Sequence, residues 1–218
     1  AVCVDEVDDP VCQKTQLRIM DLDTAFNLQA YDDDLAHVFD LAFTDDDSAV
    51  VSGGCSLYDS EFLCHAGRMI KWDLESVSLV WDTEIGIREV KNLVEAPHSD
   101  EIISAGFAGA YLWDVETGMH TNHLAAEFFY NFAVGYSPDG SQAAVAGNAI
   151  IILHDTETWD RIDTFDDHSD TVQLLAFIEN GTRLVSYGDD DQLIFWDVTT
   201  GLAVNTTPME EEIRDMLY

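Results

Sequence analysis

The stretch HSDTVQLLAFIENGTRLVSYGDDDQLIFWDVTTG, residues 168–201, decides the fold. Its three short apolar runs, VQLLAFI, RLVSY and QLIFW, alternate with the turn-forming sequences ENG, GDDD and VTTG. Runs of this length that are rich in branched and aromatic residues and bounded by Gly, Asn and Asp are typical of β-strands. The stretch therefore predicts successive strands joined by tight turns.

The end of this stretch recurs along the chain at a regular interval. The related phrases are IMDLDT, IKWDLES, LWDVETG, LHDTETW and FWDVTTG, and their aspartates are Asp21, Asp73, Asp114, Asp155 and Asp197. These aspartates are 52, 41, 41 and 42 residues apart. A period near 41 is too long for a leucine-rich repeat and matches a four-stranded propeller blade. We therefore predict an all-β protein, residues 1–218 forming a single β-propeller, or part of one, of about five four-stranded antiparallel blades.

At these residues the chain resembles the WD-repeat β-propeller family, and the resemblance is best over 168–201. It implies a structural hydrogen-bond tetrad made of His168, Ser186, Asp190 and Trp196. Buried polar atoms need partners, and a chain from indole through hydroxyl and imidazole to carboxylate would supply them. The resemblance thus assigns these four residues to holding a blade together, with no role in catalysis.

Other blades depart from the pattern of the family. The third blade keeps Ser104 and Trp113 but has no aspartate in the corresponding turn, and the fourth has His154 in place of the tryptophan. Degenerate repeats of this kind are usual in the family that the chain resembles. The resemblance therefore predicts the fold, whereas the scaffold serves many unrelated binding functions.

Two matched cysteine pairs lie in the first two blades. Shifting the first residues by 52 superposes Cys3 on Cys55 and Cys12 on Cys64, so both blades carry an insertion of about ten residues between their second and third strands. The pairs predict disulfides Cys3–Cys12 and Cys55–Cys64, which close the inserts 3–12 and 55–64. A metal site would need closer ligand spacing, such as C-x2-C. Disulfides favour an oxidising location, extracellular or at the cell surface, with the periplasm as an alternative.

Both ends of the chain fall within a blade in this alignment. Ala1 aligns with the end of a second strand, and IRDMLY, residues 213–218, aligns with a first strand. Such strands leave a sheet edge to be paired. Three arrangements stay open: closure within one chain, strand exchange with a neighbouring molecule that propagates into a filament, or a longer polypeptide that supplies further blades.

The charge restricts the partners of this protein. Asp and Glu number 43 against nine Lys and Arg, and the formal net charge is -34. Such a surface repels nucleic acid and anionic lipid, so we expect neither as a partner. No apolar run approaches the roughly 18 residues of a membrane span, so we expect no membrane insertion. The composition suggests weak, diffuse surface binding of calcium or magnesium, without a defined site.

Sequence motifs for chemistry are absent. There is no Gly-rich phosphate loop, no G-x-S-x-G and no HExxH. We therefore predict no enzyme, and no catalytic, cofactor-binding or metal-binding residue; His120 and His123 are the nearest approach to a metal pair. Asn180 and Asn205 match the N-glycosylation pattern, and Asn205, on a presumed outer strand, is the better acceptor.

Two classes of function remain from the sequence. The first is a non-enzymatic extracellular binding or scaffold module, which engages a protein partner through loops on one propeller face, including the disulfide-closed inserts. The second is a structural subunit of a filament, in which strands are exchanged head to tail between propellers. An unpaired strand at each end favours the filament, and ends that are closed internally favour the binding module.

Overall fold

The structure is a computed structural model that describes residues 2–3, 15–20, 27–33, 37–59, 63–86, 89–107, 109–124 and 133–209, with side chains from residue 37 onward. Within these residues lie 19 strands and one short 3-10 turn at Glu179–Gly181. The strands are β1 Val2–Cys3, β2 Thr15–Met20, β3 Asn27–Asp33, β4 His37–Phe43, β5 Ala49–Tyr58, β6 Cys64–Asp73, β7 Ser78–Gly86, β8 Val90–Glu95, β9 Glu101–Gly106, β10 Gly109–Asp114, β11 His120–Leu124, β12 Ala133–Tyr136, β13 Gln142–Gly147, β14 Ile150–Asp155, β15 Arg161–Phe165, β16 Val172–Ile178, β17 Arg183–Gly188, β18 Gln192–Asp197 and β19 Leu202–Pro208.

The strands form sheets in strict chain order. Four sheets have four antiparallel strands each, β4–β7, β8–β11, β12–β15 and β16–β19, and we call them blades 2 to 5. Strands β1–β3 form a three-stranded antiparallel sheet, blade 1. The first strands of successive blades contact one another, β4 with β8, β8 with β12 and β12 with β16. The predicted all-β fold of four-stranded antiparallel units is thus confirmed.

The repeated aspartate closes the turn between the third and fourth strands of a blade. In blade 3, the backbone N–H and the hydroxyl of Thr117 both donate to Oδ1 of Asp114, at 2.7 and 2.5 Å. The hydrogen bonds hold the turn and also lower the pKa of this carboxyl. The same Asp-x-x-Ser/Thr contact recurs in the other complete blades, in the pairs Asp73–Ser76, Asp155–Thr158 and Asp197–Thr200.

A tryptophan packs at each of two blade junctions. One comes from the fourth strand of blade 2 and the other from a turn of blade 4. At the junction of blades 2 and 3, Trp81 donates from Nε1 to the carbonyl of Val115 at 2.8 Å and packs over Gly118. Gly118 has a φ of +66°, and a Cβ there would lie 2.6 Å from the indole ring. In blade 4 the equivalent turn position is Trp159, which keeps the left-handed φ of 60° and packs among the core residues of that junction.

The hydrophobic core lies between the blades. One cluster joins blades 4 and 5 through buried side chains that include Leu153, Phe165, Leu184 and Trp196, with Phe165 stacked on Trp196 at a centroid distance of 5.3 Å. Full burial of a Leu, Ile or Phe side chain contributes about 1.5–3 kcal/mol. Similar clusters join blade 2 to blade 3 and blade 3 to blade 4. Each blade is therefore stabilised mainly by its neighbours, as expected of a repeat protein.

No helix in the described residues is long and apolar enough to cross a bilayer.

Candidate functional site

The four residues of the predicted tetrad lie together in blade 5. The Trp196 indole N–H donates to Ser186 Oγ at 2.8 Å, and Ser186 Oγ lies 2.7 Å from Nε2 of His168. His168 Nδ1 lies 3.0 Å from both carboxylate oxygens of Asp190. With Nδ1–H donating to the carboxylate, Nε2 is the acceptor of the serine hydroxyl. The network joins the loop before the first strand to the second and third strands, and its groups are all engaged with one another.

The degenerate blades keep parts of this network. In blade 3, the Trp113 indole N–H donates to Ser104 Oγ at 2.8 Å, which is the inner half of the tetrad. In blade 4, Nδ1 of His154 lies 3.2 Å from the carbonyl of Trp159. Burial lowers the pKa of His154, so its imidazole stays neutral at physiological pH. Each of these blades thus shows one hydrogen bond at the position where blade 5 has the four-residue tetrad.

The second cysteine pair closes the hairpin formed by β5 and β6. Each strand has ten residues, whereas the second and third strands of the other complete blades have six. Both cysteines are buried and form a disulfide with an S–S distance of 2.01 Å and a Cα–Cα distance of 5.9 Å. The pair lies at the end of the blade where the first strand begins, because His37 pairs with Cys55.

A row of rings and one ammonium group connects this hairpin to blade 3. The Tyr58 and His37 rings meet edge to face at 5.1 Å, and the His37 and Phe39 rings stack at 6.3 Å. The Lys91 ammonium lies 3.7 Å above the centre of the Phe39 ring, which is the geometry of a cation–π contact. The same ammonium lies 3.3 Å from a carboxylate oxygen of Glu89.

Three β-bulges present equivalent side chains around the start of the innermost strands. The register shifts between Val38 and Asp40 in β4, between Val90 and Asn92 in β8, and between Val172 and Leu174 in β16. A bulge leaves one residue out of the ladder and re-aims its side chain. The residues left out are Phe39, Lys91 and Gln173.

Hydrogen bonds next to the bulges link the first strands of blades 2, 3 and 4. The Asp40 carboxylate accepts from the Asn92 side-chain amide at 2.5 Å and from the Leu93 N–H at 2.7 Å. The Asn92 amide oxygen accepts from the Val134 N–H at 2.9 Å. Blades 2, 3 and 4 are therefore linked by hydrogen bonds through their first strands.

Exposed apolar side chains stand beside this rigid frame. Leu57 is 58% exposed, Leu63 is 50% exposed and Phe39 is 38% exposed. We call the surface formed by His37, Phe39, Leu57, Tyr58, Leu63 and Lys91 the insert face. A cleft of about 420 Å³ adjoins it, lined by Glu89, Lys91, Asn92, Phe107, Gln173 and Leu174. A cluster of exposed apolar and ring groups on a rigid, partly concave support is suited to binding another molecule.

The electrostatic setting of the insert face is acidic. Burial, followed by the nearby Glu89 carboxylate, raises the pKa of Tyr58 to about 12, so its hydroxyl stays protonated. Asp59 at the base of the insert accepts from the Leu63 N–H at 3.0 Å and lies 2.7 Å from Nε2 of His65. Asp189, across the cleft, accepts from the Gln173 amide at 2.9 Å. Carboxylates therefore border the apolar groups.

Other residues singled out in the sequence lie away from this face. The rings of His120 and His123 both pack against Tyr111, at 5.4 and 4.4 Å, and in the described part of the chain no group of three or more His, Cys, Asp or Glu side chains is placed to hold a metal ion. Asn205 is exposed on the outermost strand β19, and Asn180 occupies a turn with φ of 54°. Both sequon asparagines remain predictions as modification sites.

Some predicted features fall outside the described residues. They are Cys12 and the Cys3–Cys12 disulfide, the repeat aspartate Asp21, and the terminal strand 213–218 that would carry strand exchange. Only the backbone of Cys3 is described, in β1.

Sequence reasoning missed the residues presented by the bulges. Phe39 and Lys91 are 52 residues apart and Gln173 is a further 82 away, so the first two follow the same shift that superposes the inserts. The spacing of 52 residues shows that Phe39 and Lys91 occupy equivalent positions in successive blades. The bulge that exposes their side chains, however, has no marker in the local sequence.

Comparison with known proteins agrees with this architecture. No protein-family model matches the chain. WD repeat-containing protein 1 of Xenopus tropicalis is 26% identical over 183 residues, which is 81% of this chain and 29% of that protein. The intraflagellar transport protein 122 homolog of Danio rerio is 31% identical over 78 residues, which is 36% of this chain and 6% of that protein.

The fold also matches a solved structure. A chain in a crystal structure of a mitotic checkpoint complex superposes with a TM-score of 0.77 at 19% identity, over 93% of this chain and 60% of that chain. The chain thus spans 29% of the length of WD repeat-containing protein 1 and 60% of this structural neighbour.

The four-stranded blades, their 41-residue repeat and these likenesses define a β-propeller, similar in sequence and fold to the WD-repeat proteins. Proteins of this class are typically protein-binding scaffolds and are generally not enzymes.

Proposed function

We propose that this chain is a non-enzymatic protein-binding module whose contact surface is the insert face. The observation that carries the proposal is the exposure of Leu57 and Leu63 on a disulfide-closed hairpin whose Tyr58 ring meets the His37 ring, which in turn stacks on Phe39. Exposed apolar groups that are gathered in one place, rather than scattered singly, mark interaction sites. The chain would act by multipoint contact on a rigid platform, without chemistry.

The rigidity of the platform supports binding by this face. The disulfide restrains the hairpin, and the hydrogen bond between Asp40 and Asn92 links the first strands of blades 2 and 3. A surface that is already ordered loses little conformational entropy when a partner binds, so more of the contact free energy appears as affinity.

We propose further that the protein works in an oxidising compartment, extracellular, at the cell surface or in the periplasm. The buried Cys55–Cys64 disulfide supports this location, because such bonds persist where thiols are not kept reduced. The test is alkylation with iodoacetamide in denaturant at the moment of cell lysis, so that the buried sulfur atoms are accessible, followed by mass spectrometry. Unmodified cysteines are expected, and full alkylation of both would show a reducing location.

The binding proposal is tested by selecting a random twelve-residue peptide library on the immobilised, oxidised chain. Enriched peptides are expected to shift the backbone NMR signals of residues 56–63 and of the starts of β4 and β8. The double variant Leu57→Ser/Leu63→Ser should lose binding at least tenfold. Signals that shift only elsewhere, or enrichment no better than on a blank surface, would refute the insert face as the contact surface.

A matched control uses exposed apolar residues at a distance from the insert. Leu202 is 66% exposed and Val204 is 48% exposed on β19 of blade 5. Leu202→Ser/Val204→Ser removes a similar apolar area and should leave peptide affinity within twofold of the parent chain. Equal losses in both double variants would mean that binding follows general hydrophobicity and not this face.

A further inference from the structure

We infer that the partner segment taken by the insert face is cationic, with lysine or arginine side chains flanking an aliphatic or aromatic anchor. This inference rests on the proposed function and adds the chemistry of the partner. It is carried by the charge of the loops around the face, by the way in which Lys91 is held there, and by the position of the apolar groups.

In the residues that the structure describes, the loops at the insert end of the blades carry mainly negative charge. Their described residues carry the carboxylates of Asp59, Glu89, Asp166, Asp167, Asp170, Asp189 and Asp191, most of them exposed. Within the loops and inner-strand starts that the structure describes at this end, Lys91 is the one lysine or arginine. A negative end of this kind attracts a cationic segment over a Debye length and repels an acidic one.

Lys91 shows how an ammonium group is accommodated at this face. Its Nζ lies over the Phe39 ring at 3.7 Å and beside the Glu89 carboxylate at 3.3 Å, so a ring face and a carboxylate together hold the cation. A cationic side chain of the partner is held in the same way, by a ring and a carboxylate. The groups of the face that are suited to this are the His37 and Tyr58 rings and the Asp59 carboxylate. Because Lys91 is already neutralised by Glu89, it opposes a cationic partner only weakly.

The apolar residues define the rest of the segment. Leu57 and Leu63 offer the anchor of the partner exposed aliphatic side chains on the hairpin, and Phe39 lies under Lys91, which lines the cleft. A segment that is only basic would gain attraction from the field without burying these groups. A segment that is only apolar would leave the carboxylates without counterions. The two features together select an amphipathic basic segment.

The net charge of the whole chain opposes the two other occupants. At a formal charge of -34, an acidic peptide is repelled at long range, and a second copy of the chain meets the same repulsion. Both remain as outcomes of the test below.

The test is the charge of the peptides that the random library yields. At 150 mM salt, the peptides enriched on the chain and mapped to the insert face are expected to carry a mean net charge at least two units above the unselected library. Their affinity should fall at least tenfold between 50 mM and 500 mM salt. Peptides that map to the insert face with neutral or negative mean charge would overturn the cationic partner and leave the proposed function standing.

Matched variants separate a local effect from the general field of the chain. Asp59→Asn/Glu89→Gln removes two carboxylates that border the insert face and keeps one acceptor oxygen at each position. Glu157→Gln/Asp160→Asn removes two from the opposite end of blade 4, in the turn between β14 and β15. The first pair should weaken the basic peptides at least fivefold and the second less than twofold. Equal weakening would mean attraction by the overall charge and would overturn the inference.

The two proposals therefore fail differently. If no peptide is enriched, or if none shifts the signals of the insert face, the proposed function fails and the cationic partner fails with it. If peptides bind the face without a basic bias, or if the chain itself proves to be the occupant by forming dimers that Leu57→Ser/Leu63→Ser abolishes, only the cationic partner fails.

Discussion

Ser186 sits at the centre of the tetrad, between two groups that depend on it. It accepts from the Trp196 indole N–H at 2.8 Å and lies 2.7 Å from His168 Nε2, and its own side chain is fully buried. Ser104 in blade 3 accepts the matching indole bond from Trp113, and Asp190 has no counterpart there. The two serines therefore form a natural pair of sites that differ in the number of partners they satisfy.

Removing each hydroxyl should have unequal effects. Ser186→Ala leaves both the Trp196 donor and the His168 imidazole without their partner, whereas Ser104→Ala leaves one donor. An unsatisfied buried polar group costs about 1–3 kcal/mol, so Ser186→Ala should lower the free energy of unfolding by about 1–3 kcal/mol more than Ser104→Ala. Equilibrium urea unfolding measures both. Equal losses would show that the His168 contact contributes nothing to stability.

Glycine at the turn after the repeat aspartate is required by two separate conditions. Gly118 has a left-handed φ, and its missing side chain leaves the space in which Trp81 packs. Gly86 shares the left-handed backbone, with a φ of +83°, but nothing lies within 4 Å of a Cβ added there. The comparison isolates the cost of the contact from the cost of the backbone conformation.

Alanine should distinguish the two glycines. Gly86→Ala should lower the free energy of unfolding by about 1 kcal/mol, from the backbone strain alone. Gly118→Ala should cost about 1–3 kcal/mol more, because the methyl group displaces the indole. The change in Trp81 fluorescence and the thermal midpoint are measured together. If the two variants lose the same stability, the packing of Trp81 over the turn has no energetic weight.

At the scale of elements, the disulfide closes a loop of ten residues in the β5–β6 hairpin. Loop-closure entropy for this length gives about 2–3 kcal/mol of stabilisation. Cys55→Ser/Cys64→Ser should lose this amount in urea unfolding, and amide exchange should quicken at 56–63 while β17 and β18 stay protected. Uniform quickening over all blades would contradict a local role of the bond.

The junction of blades 2 and 3 carries an unusual carboxyl group. Burial, with added repulsion from Asp45 and Asp46, raises the pKa of Glu95 to about 7 from an ordinary value of 4.5, although the Asp45 N–H and the Lys71 ammonium act in the opposite direction. Glu95 ends β8 and lines a cleft of about 360 Å³ together with the turn between β4 and β5. The folded protein thus holds this proton more tightly than the unfolded chain does.

Stability should therefore depend on pH through this junction. Because the pKa of Glu95 is raised by folding, its protonation stabilises the fold at low pH, and that contribution is lost as pH rises from about 4.5 through 7. Glu95→Gln should flatten the decrease in unfolding free energy between pH 5 and pH 8, and the exposed Glu157→Gln should not. If the unfolding free energies of the two variants depend on pH in the same way, Glu95 is not the titrating group.

On the scale of the whole molecule, self-repulsion opposes folding. A formal charge of -34 on 218 residues places like charges within a Debye length of one another over the whole surface. Raising sodium chloride from 0.01 to 0.1 M shortens that length from about 30 to about 10 Å. The thermal midpoint should rise by several degrees over this interval, with a smaller gain up to 1 M. A midpoint that does not change with salt would show that the charges are too well separated to interact.

Most of the fold could be predicted because its signals are local. The Asp-x-x-Ser/Thr turns that mark the repeat lie within four residues of chain, and the blade strands are short apolar runs between them. The turn contact of Asp114 with Thr117 is the physical basis of the repeat phrase from which the period was read. Hydrogen bonds of this kind join residues that are close in the sequence, so the turns that they form can be predicted without a structure.

The proposed binding surface could be predicted from the sequence only in part. The inserts and their cysteine pairs predicted a feature on one face, but Phe39 and Lys91 entered no sequence argument. They meet because bulges in two different blades turn them toward each other, and a bulge depends on how a strand pairs with its neighbour. Glu95 was missed for a similar reason, since its raised pKa comes mainly from burial in the fold, with added repulsion from Asp45 and Asp46 in a turn about 50 residues earlier in the chain.

The sequence by itself determined the all-β class, the period of the blades, the residues of the tetrad through the family that the chain resembles, and the charge that restricts the partner. Each of these depends on residue identity and on spacing along the chain. Only the tertiary structure decided which side chains gather on the insert face and which carboxyl holds its proton at a blade junction. Burial and contact between blades set both, and they arise only when distant segments pack together.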